Sequence, residues 1–157
     1  MSTIRQRAVE GIQVGDVYTV TRTFTQADME QFAHVSRDYN PVHFDARFAR
    51  THGFRAPVCH GLLVASMVTE VGGQMGWLAS GMVFRFRQPV YIEDTVTCHL
   101  EVTEMDAQGR AKAQARFLNQ HGEPVLEGEV TGFVPGSAQR DVLAVMMAEG
   151  DPTNPMR

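Results

Sequence analysis

The sequence predicts an α+β domain in which a curved antiparallel sheet of about five strands wraps around one long buried helix. Three observations lead there. The stretch Leu62–Val71 is apolar nearly all round and free of interior Pro or Gly, the pattern of a helix buried on every side. After Gly72, Gly73 and Gly76, short β-rich segments follow one another with turn signals between them. An alternating segment, Tyr18–Phe24 (YTVTRTF), stands alone in front of the helix. A sheet curled around a single apolar helix buries the apolar face of both.

The elements follow in order. Tyr18–Phe24 is rich in β-branched residues and suits a half-buried strand. Thr25 and Asp28 have the spacing of a helix N-terminus, and Met29, Phe32, Ala33 and Val35 recur at helical intervals, so Gln26–Val35 is expected to be helical. Ser36–Pro41 breaks that helix, because Pro41 disfavours helix at Asn40 and both Asp38 and Asn40 favour turns. Asp45 is placed to cap a short helix through Arg50, ending near Gly53. Beyond Leu62–Val71, the expected strands are Val83–Arg87, Val90–Ile92, Thr95–Glu104, Arg110–Asn119 and Val125–Val134. Turns at Gln88-Pro89, Glu93-Asp94, Asp106–Gly109 and His121-Gly122 separate them, which predicts an antiparallel meander. One domain is expected over residues 1–135. The tail, 136–157, is expected to be partly mobile, with a short docking helix within Val142–Met147.

A chain of 157 residues is long enough for one proper core. With 43% hydrophobic and 20% charged residues it has the composition of a globular protein. Its net charge of −4 argues against a nucleic-acid partner, which needs a broad basic patch, though two or three placed cations suffice for a phosphorylated small molecule. The apolar stretch is too short to span a membrane, and residues 1–15 hold no signal-type apolar run. Cys59 and Cys98 have no CxxC spacing and read as two free thiols in reducing surroundings, so the expected location is the cytoplasm.

Two constellations carry chemistry. In Ser36-Arg37-Asp38-Tyr39-Asn40-Pro41-Val42-His43, a carboxylate and an imidazole lie five residues apart across an Asn-Pro turn. Such a pair can hold and polarise one water, with protons moving to and from each group; an Asx turn beside a satisfied histidine gives the same spacing. In Val58-Cys59-His60-Gly61-Leu62, Gly61 falls where the apolar helix should begin, so its N–H lacks an intrahelical acceptor. Free N–H groups there stabilise an oxyanion, and glycine lets an acyl group come close; a plain loop-to-helix junction looks the same.

Taken together, D-x-N-P-x-H followed by H-G and a buried helix resembles the MaoC-like (R)-specific enoyl-CoA hydratases. The resemblance runs through Phe32, Ser36, Asp38, Asn40, Pro41, His43, Ala49, His60, Gly61, Ala65 and Ser66, and continues in Phe86, Pro89, Val90, Asp94 and Val96. It covers about residues 15–135. It implies a hot-dog fold, a homodimer joined edge to edge or a dimer of dimers, and syn hydration of trans-2-enoyl-CoA to (R)-3-hydroxyacyl-CoA. It implies no metal and no cofactor, CoA being part of the substrate. Asp38 carries over as general base on water, His43 as its partner in proton transfer to Cα, and Gly61 as N–H donor to the thioester oxygen. Asn40, Ser66 and Thr69 join them as substrate-binding candidates. Ser66 and Thr69 share a helix face near the site, although their hydroxyls can equally bond back to the preceding turn. The family usually has glycine where this chain has Arg37; if the backbone there needs positive φ, Arg37 is strained, and otherwise it projects a cation near the site mouth.

Other functions stay open at this stage: a dehydratase acting on acyl carrier protein, a hydratase for branched or dicarboxylic enoyl-CoA, a hot-dog thioesterase, and a non-catalytic acyl-binding subunit. His52, Cys59 and His60 fit no usual zinc spacing. Arg85 and Arg87 alternate on one strand face, where they meet either solvent or CoA phosphates. Trp77 either lines the acyl pocket or caps the core, and Phe84 is placed with it behind the pocket.

Overall fold

Alternation along the strands decides which face of the sheet is buried. The computed structural model describes residues 3–156. Five antiparallel strands form one sheet: β1 (Val17–Thr23), β2 (Leu78–Phe86), β3 (Thr95–Met105), β4 (Arg110–Leu118) and β5 (Pro124–Phe133), in the order β1-β3-β4-β5-β2. Val96, Cys98, Leu100 and Val102 on β3, and Ala111, Ala113, Ala115 and Phe117 on β4, are buried at every second position. That face packs on the core, while the intervening residues point outward.

The expected meander holds for β3, β4 and β5, but β2 pairs with β5 at the far edge and the chain must cross back to β3. Phe84 of β2 faces Gly128 of β5, and a Cβ on that glycine would lie 2.8 Å from Phe84 Cε1. The glycine therefore makes room for the ring. Val90–Ile92 is a loop rather than a strand, with Tyr91 making only an isolated bridge to Val58. The reason is local: the Asp94 carboxylate accepts the Tyr91 N–H at 2.9 Å and turns the chain there.

Among the described residues, six α-helices accompany the sheet: α1 (Ile4–Glu10), α2 (Gln26–Ser36), α3 (Ala46–Thr51), α4 (Gly61–Ala65), α5 (Met67–Met75) and α6 (Ser137–Ala148). A capping box starts α2: Thr25 Oγ1 accepts the Asp28 N–H, and Asp28 Oδ2 accepts the Thr25 N–H at 2.9 Å. Asp45 caps α3 through the Arg47 N–H. The expected long buried helix is in fact two, α4 and α5, broken at Ser66. Ser66 Oγ donates to the Leu63 carbonyl at 2.6 Å, and the next bonds tighten, with Thr69 N–H donating to the Ser66 carbonyl. Nor is the helix apolar-and-buried throughout, because Leu62 is 60% exposed. Val68, Val71 and Met75 of α5 face the core, and the helix runs through Gly72 and Gly73 until Gly76 ends it in a left-handed cap.

The tail is tied to the body. Its helix spans Ser137–Ala148, longer than expected, and packs against α1, which the sequence reading did not foresee. Beyond it, Asp151 pairs with Arg5 at 3.1 Å, and the Asn154 and Gln74 amides bond reciprocally at 2.8 Å. None of the described helices is long and apolar enough to cross a membrane.

Candidate active site

The turn after α2 is built from side chains that cap their own backbone. Asp38 Oδ1 accepts the Asn40 N–H at 3.1 Å, and Asn40 Oδ1 accepts the Val42 N–H at 3.1 Å, opening a 3₁₀ turn at Pro41–His43. Arg37, the residue that closes α2, sits at φ 61°, in the left-handed region. Of the two readings of Arg37, the backbone one therefore applies: a Cβ is held where glycine would be unstrained. We expect Arg37→Gly to raise unfolding stability by up to about 1 kcal/mol, the relief of a left-handed L-residue less the added chain entropy of glycine. Urea unfolding checks this, and a destabilised variant would refute it.

His43 leans back from the same turn. Its Nδ1 lies 2.8 Å from the Val58 carbonyl, so Nδ1 carries the proton and Nε2 presents a lone pair. That Nε2 is 3.6 Å from Asp38 Oδ2, too long for a direct hydrogen bond. The Asp38 side chain is 46% exposed and that of His43 is 10% exposed, so the pair stands at the boundary between solvent and core.

Both open onto a cavity of about 430 Å³ whose walls include Gly61, Leu62, Phe86, Val90 and Leu126. Gly61 is the first residue of α4, where the N–H has no carbonyl inside the helix to bond. The structure thus brings Asp38, His43 and Gly61 to one cavity. The other candidates are placed elsewhere: Asn40 spends its side-chain oxygen on the turn, and Thr69 Oγ1 donates to the Ser66 carbonyl at 2.6 Å, as Ser66 does to Leu63. None of the three lines this cavity.

Trp77 and Phe84 do not line it either. Trp77 borders a separate cavity of about 140 Å³ with Val68, Met82 and Leu100, its Nε1 buried without a partner. Arg87 lies at the Asp38–His43 cavity but is paired with Glu127 at 2.7 Å, whereas Arg85 is simply exposed. Cys59 and Cys98 are free and buried, and burial pushes both thiols up to about 12.

His60 is the residue at this site to which sequence reasoning gave no role beyond the motif. It is buried, its Nε2 lies 3.0 Å from the Asp38 carbonyl, and its ring stacks on His43 with centroids 3.9 Å apart. Burial holds its imidazole below the usual histidine range. The His-Gly pair was visible in the sequence, but a contact across 22 residues leaves no periodic signal. Asp38, His43 and His60 present ligand-type atoms within 4.8 Å of one another, and His52 and Cys59 are not part of that group.

The (R)-specific enoyl-CoA hydratase of Aeromonas caviae is 32% identical over 133 residues, covering 82% of this chain and 99% of that one. The mitochondrial 3-hydroxyacyl-[acyl-carrier-protein] dehydratase of Arabidopsis thaliana is 34% identical, covering 79% of this chain and 78% of that one. The solved structure of the A. caviae (R)-hydratase superposes with a TM-score of 0.74 over 80% of this chain and 99% of that one, at 32% identity, and shares the hot-dog fold. Residues 11–121, which hold the whole Asp38–His43–Gly61 cavity wall up to Val90, match the MaoC-like domain, and the chain belongs to that family.

Proposed function

We propose that the protein is a hydro-lyase that adds water reversibly across the double bond of a trans-2-enoyl thioester, giving the (R)-3-hydroxyacyl thioester. The observation that carries this reading is the pair of facing acceptors, Asp38 Oδ2 and His43 Nε2, 3.6 Å apart at the mouth of an apolar cavity. A water that donates one hydrogen to each has its lone pair left to point at a carbon atom. As that oxygen attacks Cβ, the Asp38–His43 pair takes a water proton, and the π electrons of the alkene move toward the thioester carbonyl. The Gly61 N–H, at the positive end of α4, bonds the developing enolate oxygen. The pair then delivers a proton to Cα from the face on which water arrived, so the addition is syn. The change is redox-neutral, and the only cofactor-like group involved is the CoA of the substrate. One of the relatives is named an (R)-specific enoyl-CoA hydratase and the other a 3-hydroxyacyl-[acyl-carrier-protein] dehydratase, which supports the reading.

The active species is a homodimer, and the free β2 edge is its contact. Leu78 and Val83 of β2 are 71% and 56% exposed, while the opposite edge, β1, exposes Val17 together with Thr19, Thr21, Arg22 and Thr23. An apolar unpaired edge calls for a partner strand. Val83→Lys is expected to convert a dimeric sedimentation mass to a monomeric one; a monomeric wild type would overturn this assignment. A cytoplasmic location fits the two free thiols.

Loss of enoyl-thioester absorbance tests the function, with crotonyl-CoA, octenoyl-CoA and a branched enoyl-CoA as substrates. Loss on any of them supports hydration, and their ranking sizes the cavity. Free thiol without alkene loss means a thioesterase. Neither signal on CoA substrates, followed by activity on an enoyl-acyl-carrier protein, would give this chain the acyl carrier named for the Arabidopsis relative. Inactivity on both would make it a non-catalytic acyl-binding subunit.

A further inference from the structure

Asp38 stands on an exposed turn that little else secures. Its N–H is held by Ser36 Oγ at 3.2 Å, its carboxylate by the Asn40 N–H two residues on, and it directly follows the strained Arg37. The contact that reaches it from the core is His60. A carbonyl oxygen can only accept, so at 3.0 Å His60 Nε2 carries a proton and donates to Asp38 O. The His60 ring lies nearly parallel to His43, 28° between planes, and Phe32 of α2 and Phe44 close its edges at 5.0 and 5.9 Å. Its Nδ1 is buried with no hydrogen-bond partner. An apolar ring of the same size would fill this space without burying an unsatisfied nitrogen. What it would lack is the N–H for Asp38.

We propose that His60 is a positioning residue for the Asp38–His43 pair, fixing the Asp38 backbone through Nε2–H and the plane of the His43 ring by stacking. Because the next residue is Gly61, one dipeptide then sets the distance between the proton-transfer pair and the N–H that receives the oxyanion. The titratable groups facing His60 are Asp38 and His43, and the rings packed on it from α2 and the turn, Phe32 and Phe44, are apolar. A neutral His60 places no positive charge beside the pair. The inference rests on the hydratase reading for its kinetic consequence, but not for its structural one.

Two variants and one spectrum test it. His60→Phe keeps an aromatic ring in the stack and removes the donor. We expect kcat to fall about 10²-fold with KM little changed, the scale on which a misplacement of about 1 Å acts. His60→Gln restores a side-chain N–H and should recover kcat to within about tenfold of wild type, a residual set by less ideal hydrogen-bond geometry. Equal losses in the two variants, or wild-type kcat in a folded His60→Phe, would overturn the proposal. Should His60→Phe not fold, the glutamine variant decides alone: a loss as large as that of Asp38→Asn counts against it. Imidazole ¹⁵N spectra of the wild type should show His60 as the neutral Nε2–H tautomer, and the Nδ1–H tautomer would refute the bond to Asp38 whatever the activity. If the wild type hydrates nothing, the function fails while this spectrum, with the Asp38 amide shift expected in His60→Phe and its absence as the contrary result, still settles the positioning role.

Discussion

Asp38→Asn is expected to lower the turnover of enoyl-thioester hydration by roughly 10²–10⁴-fold, the range lost with a general acid–base group. The substitution is nearly isosteric, and the new side-chain oxygen can still accept the Asn40 N–H that Asp38 Oδ1 accepts now, so the turn keeps its cap. What disappears is the basic atom facing His43 Nε2 across 3.6 Å. An amide can bind the water yet cannot take its proton, so kcat should fall and KM should move little. His43→Gln tests the other half: a glutamine amide can still donate toward the Val58 carbonyl, and its oxygen can accept from the water, but it cannot take or return a proton. Stopped assays with a crotonyl thioester, run beside urea denaturation, separate the outcomes. Slow but equally stable variants support the assignment. Variants that unfold would show that the pair holds the turn together, and variants with wild-type rates would remove both groups from the chemistry.

That turn was legible in the sequence because everything in it is local. The Thr25–Asp28 capping box, the Asn40–Pro41 break and the Asp45 cap are each decided by residues two or three apart, and the structure contains all three. The sheet was legible where it alternates, on β1, β3, β4 and β5. Features set by distant partners were not. The sequence pattern of β2 does not say that it pairs with β5 rather than β3, since strand order depends on which edge the helix leaves free. The break at Ser66 turns on one hydroxyl choosing the Leu63 carbonyl, a choice that periodicity averages away. Ser66 and Thr69 each spend their hydroxyl on a carbonyl three residues back, and neither lines the cavity. α1 escaped notice because it buries only Ala8, too little apolar surface for an amphipathic signal. His60 illustrates the limit most clearly: its neighbours Asp38, His43, Phe32 and Phe44 come from the preceding helix and turn, and only the folded chain stacks them on it.

Gly61→Val is expected to reduce kcat/KM by about 10²-fold or more, the cost of losing one oxyanion-hole donor. Nothing in the backbone at Gly61 demands glycine, for its φ lies outside the left-handed region that L-residues avoid, so the variant is not strained at the main chain. The obstacle is what stands opposite. A Cβ at this position would lie 2.5 Å from Phe86 Cε1 and 2.9 Å from Cδ1 and Cζ. Phe86 is 57% exposed, so its ring can swing outward at modest cost and the domain should still fold. The valine methyls and the displaced ring then occupy the approach to the first free N–H of α4, the direction from which the thioester oxygen must come. Gly61→Ala, with one carbon fewer, should fall between the wild type and Val. The split between kinetic constants identifies the cause. A loss mainly in kcat means that the N–H stabilises the transition state, as the oxyanion assignment requires. A rise in KM with kcat unchanged means that Gly61 only leaves room for the acyl group, and wild-type kinetics in Gly61→Val would place the oxyanion elsewhere on the cavity wall.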